Sequence, residues 1–153
     1  MGKDKELRKI VFLDANVIIS GTFFEGNESK LISLEDIDLY TSDIVVKEAK
    51  EVAIKKFKSL KTEDKRIALM EIERSLIDFV SIVEEKDYLK KVGEARKLIR
   101  KEKDSKILAA VLAVKPDYFV TGDKDFHTFK MKQVVPVRHT KEVLEDLGIL
   151  SRT

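Results

Sequence analysis

Short unbroken apolar runs alternate along this chain with longer stretches in which apolar residues return every three or four positions. The segment "KIVFLDANVIIS" opens with Ile10 to Leu13, which has no polar alternation and so predicts a strand buried on both faces, as in a parallel sheet. Asp14 ends the run, and a helix can begin over Ala15 to Ser20. "IDLYTSDIVVKEAKEVAIKKF" repeats this grammar: a strand around Leu39 to Thr41, Ser42 as helix cap, then a helix to about Phe57. "KTEDKRIALMEIERSLIDFVSIV" predicts a second long helix capped by Thr62, with Ile67, Leu69, Met70, Ile72, Leu76 and Ile77 as its apolar face. "EKDYLKKVGEARKLIRKE" reads as a charged amphipathic helix, and "KDSKILAAVLAVKPD" as a helix from Asp104 that stops before Pro116. A strand at Tyr118 to Val120, another at about Val134 to Val137 and a last helix from Thr140 to Leu147 complete the pattern. Strands alternating with helices predict a three-layer α/β/α sandwich with a mainly parallel central sheet.

Composition narrows the chemistry. A length of 153 residues with 43% hydrophobic residues suits one domain over 1–153, with no internal repeat or linker. The absence of cysteine removes disulfides, thiolate metal sites and thiol nucleophiles together, so any metal must be held by oxygen or by one of two histidines. A net charge of +2 does not by itself announce a nucleic-acid binder. The charged fraction of 38% suits a heat-adapted protein. No run approaches the ~20 apolar residues of a membrane span, and "MGKDKELRK" lacks a signal peptide's apolar segment, so a soluble cytoplasmic protein is expected.

The acids then carry the chemical question. In open α/β sheets the functional crevice lies beyond the carboxyl ends of the strands, where Asp14 and Asp123 both fall. Each has a plain structural reading, Asp14 as a helix cap and Asp123 with Asp125 as a polar turn after Gly122. Asp104 is the clearest cap candidate of all, a role compatible with binding metal. Glu48 falls at the shoulder of the stripe Val45, Ala49, Val52 and Ala53, and no basic residue stands three or four positions from it. Carboxylates converging from separate elements would repel one another and raise each other's pKa. A hard divalent cation, Mg²⁺ or Mn²⁺, removes that repulsion and activates water against a phosphodiester without help from cysteine or histidine.

Three segments in this order, "VFLDANVIIS", "SDIVVKEAKEV" and "KDSKILAAVLAVKPDYFVTGDKDF", resemble the PIN-domain nucleases over nearly the whole chain. The last is the most specific: an acid opening an alanine-rich helix, a strand, then Thr-Gly-Asp-x-Asp-Phe. The resemblance implies an acidic site of Asp14, Glu48, Asp104 and Asp123, with Asp125 as auxiliary acid and metal held by Asp14, Asp104, Asp123 and Asp125. Asn16 and Thr121 correspond to polar residues that orient such carboxylates. The implied activity is that of an Mg²⁺- or Mn²⁺-dependent endoribonuclease, in many single-domain members the toxin of a toxin–antitoxin pair. An RNA substrate, an antitoxin partner and a homodimer are the partners this implies.

Lys47, Lys50, Lys106 and Lys124 lie on the same elements and are candidates for phosphate contact, against the plain reading of solvated surface lysines. His127 is expected to be a lone surface histidine, His139 receives no role, and Phe23 and Phe24 read as core or dimer contacts before base-stacking groups. Two phosphoaspartate classes are set aside. A dehalogenase-type phosphatase wants an acid where Asn16 stands, and a receiver wants paired acids where Asp14 stands alone between Leu13 and Ala15. A PIN-like scaffold that binds RNA or protein without cutting is the remaining alternative.

Overall fold

The structure, a computed structural model, describes residues 8–152; the reading of the N-terminal "MGKDKE" lies outside them. Five parallel strands form one sheet in the order β3-β2-β1-β4-β5. They are β1 (Lys9–Leu13), β2 (Ile37–Ser42), β3 (Val80–Val83), β4 (Tyr118–Val120) and β5 (Val137–Arg138). Between β1 and β2 run α1 (Ala15–Phe23) and α2 (Asn27–Ile32), and between β2 and β3 run α3 (Asp43–Lys56) and α4 (Thr62–Phe79). The chain then recrosses the sheet through α5 (Glu85–Tyr88), a 3₁₀ turn, α6 (Val92–Arg96) and α7 (Glu102–Val114) before β4. Because β1→β2→β3 steps one way and β3→β4→β5 the other, right-handed crossovers put the two helix sets on opposite faces. The expected three-layer parallel architecture is therefore the one observed.

The central strands are buried as their unbroken apolar sequence requires. Val11, Phe12 and Leu13 of β1 and Phe119 and Val120 of β4 are fully covered. Phe119 meets Phe12 and Phe126 edge-to-face at 5.7 and 5.0 Å between ring centroids. Phe23 packs edge-to-face on Phe57 at 5.1 Å, a core contact, whereas Phe24 is exposed. Gly21 marks the close approach of α1 and α2: a Cβ there would lie 2.1 Å from Ile32 Cδ1 and 3.1 Å from the Glu28 carbonyl oxygen. Gly21→Ala is therefore expected to push Ile32 aside and cost about 1–3 kcal/mol in a denaturant titration.

Several boundaries differ from the sequence reading. The helix beginning "KTEDKR" gives way at Val80 to β3, an edge strand paired with β2 from Leu39–Val80 to Ser42–Val83. Its apolar positions also divide between two faces. Ile72 and Leu76 are buried, while Ile67, Met70 and Ile77 are exposed. At about 100° per residue the first pair lies opposite the second set, so these six residues never shared one stripe. "EKDYLKKVGEARKLIRKE" is broken into α5, the 3₁₀ turn and α6, and α2 and α8 (Phe129–Lys132) were not anticipated. β5 begins at Val137, later than Val134, and α9 (Thr140–Asp146) follows. The helix carrying Asp104 begins two residues early: Lys101 is the cap of α7 and Asp104 occupies its first turn. No helix among the described residues is long and apolar enough to cross a membrane.

Candidate active site

The strand order places the reversal of chain direction between β1 and β4, so the crevice of this sheet opens beyond Leu13 and Val120, which are paired in register. Asp14 follows Leu13 directly. Its backbone N–H donates to the Val120 carbonyl at 3.1 Å, extending the strand pairing by one residue. Asp14 is the N-cap of α1, with Oδ1 accepting from the Ala15 N–H at 2.8 Å, so the plain structural role is real. Its other oxygen is held separately: Thr121 Oγ1 donates to Asp14 Oδ2 at 2.5 Å. The same hydroxyl accepts from the Asp123 N–H at 3.0 Å, and Asp123 Oδ1 accepts from the Asp125 N–H at 2.9 Å. One threonine thus fixes the β1 acid and the loop that bears the β4 acids. On the other flank, Thr41 Oγ1 donates to the Leu13 carbonyl at 2.8 Å, tying the end of β1 to the end of β2, just before α3.

Asp104 reaches the crevice from the first turn of α7, and Asp123 and Asp125 from the turn after β4. Each offers one carboxylate oxygen, and these atoms lie within 4.8 Å of one another. Asp14 and Glu48 stand outside that tight group but within its field. Burial is the main cause that raises the pKa of Asp14, with the Asp123 charge adding to it; the bonds from Thr121 and Ala15 act the other way. Glu48, half-buried on α3, is raised first by burial and then by Asp14, with Asp104 and Asp123 contributing and Lys103 opposing. Asp104 is raised by burial, then by Asp123, with Lys101 opposing. Acids from β1, α3, α7 and the β4 turn therefore feel one another's charge, as converging carboxylates must.

Other predicted residues fall differently. Asn16 is exposed on α1 and borders a neighbouring hollow. Lys50 is held by Glu73 of α4 at 2.6 Å, while Lys47 and Lys124 are exposed and Lys106 is half-buried. His127 is not a lone surface residue. Its Nε2 donates to the Thr121 carbonyl at 2.7 Å, and its ring stacks on His139. Lys101, which the sequence reading passed over, pairs with Asp125 at 3.1 Å. The basic run "RKEKDS" at the entrance to an acid-bearing helix was the available signal for it and for Lys103. A larger cavity, about 770 Å³, lies elsewhere, at the amino ends of β1 and β2 between Arg8, Asp38 and Phe79.

Thr121→Val keeps the shape of the side chain but removes both the donor to Asp14 and the acceptor for Asp123. It is expected to cost about 1–3 kcal/mol of stability. The Asp14 pKa should rise further, because the lost bond favours the charged form. Carboxyl-carbon NMR titration together with chemical denaturation checks both.

An all-oxygen set of this kind suits a hard divalent cation in preference to zinc or copper. No curated protein matches the sequence significantly. Among solved structures the chain is similar to VapBC2 from Rickettsia felis, determined bound to a DNA fragment from their promoter. The TM-score is 0.63 at 15% identity, over 85% of this chain and 98% of that one. It is also similar to a toxin–antitoxin complex from Klebsiella pneumoniae, with a TM-score of 0.56 at 18% identity over 85% and 97% of the two chains. At those identities the likeness is one of fold. A family model for the PIN domain matches residues 12–148, a span that takes in Asp14, Glu48, Asp104, Asp123 and Asp125, and the chain belongs to the PIN domain family.

Proposed function

We propose that this protein is an Mg²⁺- or Mn²⁺-dependent endoribonuclease. The observation that carries the reading is the set of carboxylate oxygens of Asp104, Asp123 and Asp125 within 4.8 Å of one another at the carboxyl end of the sheet. Membership of a family that is generally one of nucleases supports it. Asp104, Asp123 and Asp125 would hold the cation, with Asp14 completing the set from β1. A cation bound there supplies a lowered pKa for water and countercharge for the phosphodiester.

The remaining work falls to the chain's own groups. Glu48, half-buried and raised by burial and by Asp14, is the proton acceptor for the attacking water, because a raised pKa makes it a better base near neutral pH. Thr121 fixes the Asp14 carboxylate and the Asp123 backbone so that neither must reorganise when charge builds on the phosphate. Lys103 stands beside the acids, and Lys47, Lys106 and Lys124 at the rim, to meet RNA phosphates, as Lys101 does once it releases Asp125. Lys50 does so only by releasing Glu73.

The biological setting we infer is that of a toxin silenced by an antitoxin protein, in a cytoplasmic compartment. The fold neighbour that is a toxin–antitoxin complex supports this. So does the exposed apolar row Ile67, Met70 and Ile77 on α4, a surface of the kind that partners cover. A homodimer would use such a surface equally, and the solution mass of the isolated chain separates the two. The activity is tested with end-labelled single-stranded RNA incubated with Mg²⁺, Mn²⁺ or EDTA. Cleavage in either metal and none in EDTA is expected; a folded protein that binds RNA and never cuts it would favour the scaffold alternative.

A further inference from the structure

Next to the acids a hollow of about 310 Å³ opens between the starts of α1 and α2, the loop after β4 and the start of α9. The proposed chemistry leaves most of its wall unused. That wall carries two amides, Asn16 and Asn27, one cation, Lys141, one carboxylate, Glu28, and His139. An exposed histidine ordinarily swings freely, but His139 is backed by a second ring. His127 lies parallel to it within 4°, with centroids 4.0 Å apart. His127 is itself anchored by Nε2 to the Thr121 carbonyl at 2.7 Å, and its Nδ1 is buried without a partner. The two rings thus form a stack fixed to the end of β4. One face of the His139 ring is taken by His127, and His139 is among the residues that line the hollow.

An aromatic surface, hydrogen-bonding amides and a cation are the set with which proteins hold unpaired bases. The ring takes the π-face, amides read the base edge, and the cation meets a phosphate. The volume is at the lower end of small-ligand sites, which suits one base and excludes a duplex. Thr121 belongs to both places: its hydroxyl reaches Asp14, its carbonyl accepts from His127, and it borders the hollow.

We propose that this hollow seats one unpaired nucleobase of the RNA beside the phosphodiester that is cut, against His139 and with Lys141 on a flanking phosphate, and that it sets the sequence preference of cleavage. The proposal rests on reading the acids as a nuclease centre, and two measurements keep the ideas apart. In the first, cleavage sites across a random-sequence single-stranded RNA pool are mapped for wild type, His139→Ala and His139→Phe. The wild type should show a base preference at a position flanking the cut. His139→Ala should lose about tenfold of that discrimination, and His139→Phe should keep a preference. A preference unchanged in His139→Ala overturns the proposal.

The second measurement needs no cleavage. A random-sequence RNA hexamer and the corresponding abasic hexamer are titrated in Mg²⁺ onto Asp104→Asn, with and without His139→Ala. The added substitution should weaken the base-bearing hexamer about tenfold and leave the abasic one unaffected. Equal weakening of both, or of neither, overturns the base seat. If the wild type cuts no RNA at all, the nuclease reading fails by itself and the hexamer comparison decides the base seat.

Discussion

Asp104→Asn should cleave single-stranded RNA about 10³-fold more slowly than wild type while unfolding at the same temperature or a higher one. The activity loss follows from removing one of three carboxylates whose oxygens lie within 4.8 Å of one another. Losing one preorganised electrostatic group at the reacting phosphate costs on the order of 10²–10³ in rate, or roughly 4 kcal/mol at the upper end. Stability should not fall with it. Asp104 is not the cap of its helix, since Lys101 holds that position and its carbonyl accepts from the Ser105 N–H at 2.8 Å. Asn also relieves the repulsion from Asp123 that, after burial, raises the Asp104 pKa. The pairing of dead chemistry with an intact or steadier fold separates a functional acid from a structural one. Equal cutting by the two proteins would remove Asp104 from the site, and a fall in melting temperature with the activity would point to a folding defect.

The second large effect is on the metal. Mg²⁺ or Mn²⁺ at about a hundred times its dissociation constant should stabilise the fold by about 2.7 kcal/mol. For a chain of this size that is a melting shift of roughly 5–10 °C. The shift should disappear in Asp123→Asn and grow with pH. Asp14, Glu48 and Asp104 all have pKa values raised in the fold, chiefly by burial and then by neighbouring acids, from ordinary values of 3.8, 4.5 and 3.8. Between those ordinary values and the raised ones, the fold holds protons that the unfolded chain has released. Stability of the metal-free protein therefore falls as pH rises through that window and levels off above the raised values. The cation competes with those protons and counters the repulsion, so its stabilisation should be smallest at low pH. Melting curves in EDTA and in Mg²⁺ from pH 4 to 8 test the sign. A metal-free protein that gains stability across the lower part of that range would show that the acids are compensated by something other than metal.

Sequence alone determined the architecture and the positions of the acids. β1 and β4 announced themselves because both faces of a central parallel strand are buried, which leaves an unbroken apolar run with no polar alternation to confuse it. Asp14 and Asp123 were legible because each follows such a run, Asp104 because it stands in the first turn of a helix, and Glu48 because it lies beside the core stripe of its helix with no basic partner, and the order of motifs around them resembles one family. β3 was not legible: Val80 to Val83 is an edge strand with two exposed residues, continuous in composition with the helix before it. The cap of α7 was not legible either, since aspartate is frequent both at the cap and in the first turn and its presence does not fix which of the two it holds.

Only the tertiary structure decided which groups share a place. Nothing local pairs Thr121 with Asp14, which are 107 residues apart, or Lys101 with Asp125. His127 and His139 look like two scattered surface residues until the end of β4 and the start of α9 bring their rings into one stack. Periodicity reports which way a side chain faces within its own element. What it meets there depends on strand order and crossover hand, and those are settled by the packing of the whole sheet.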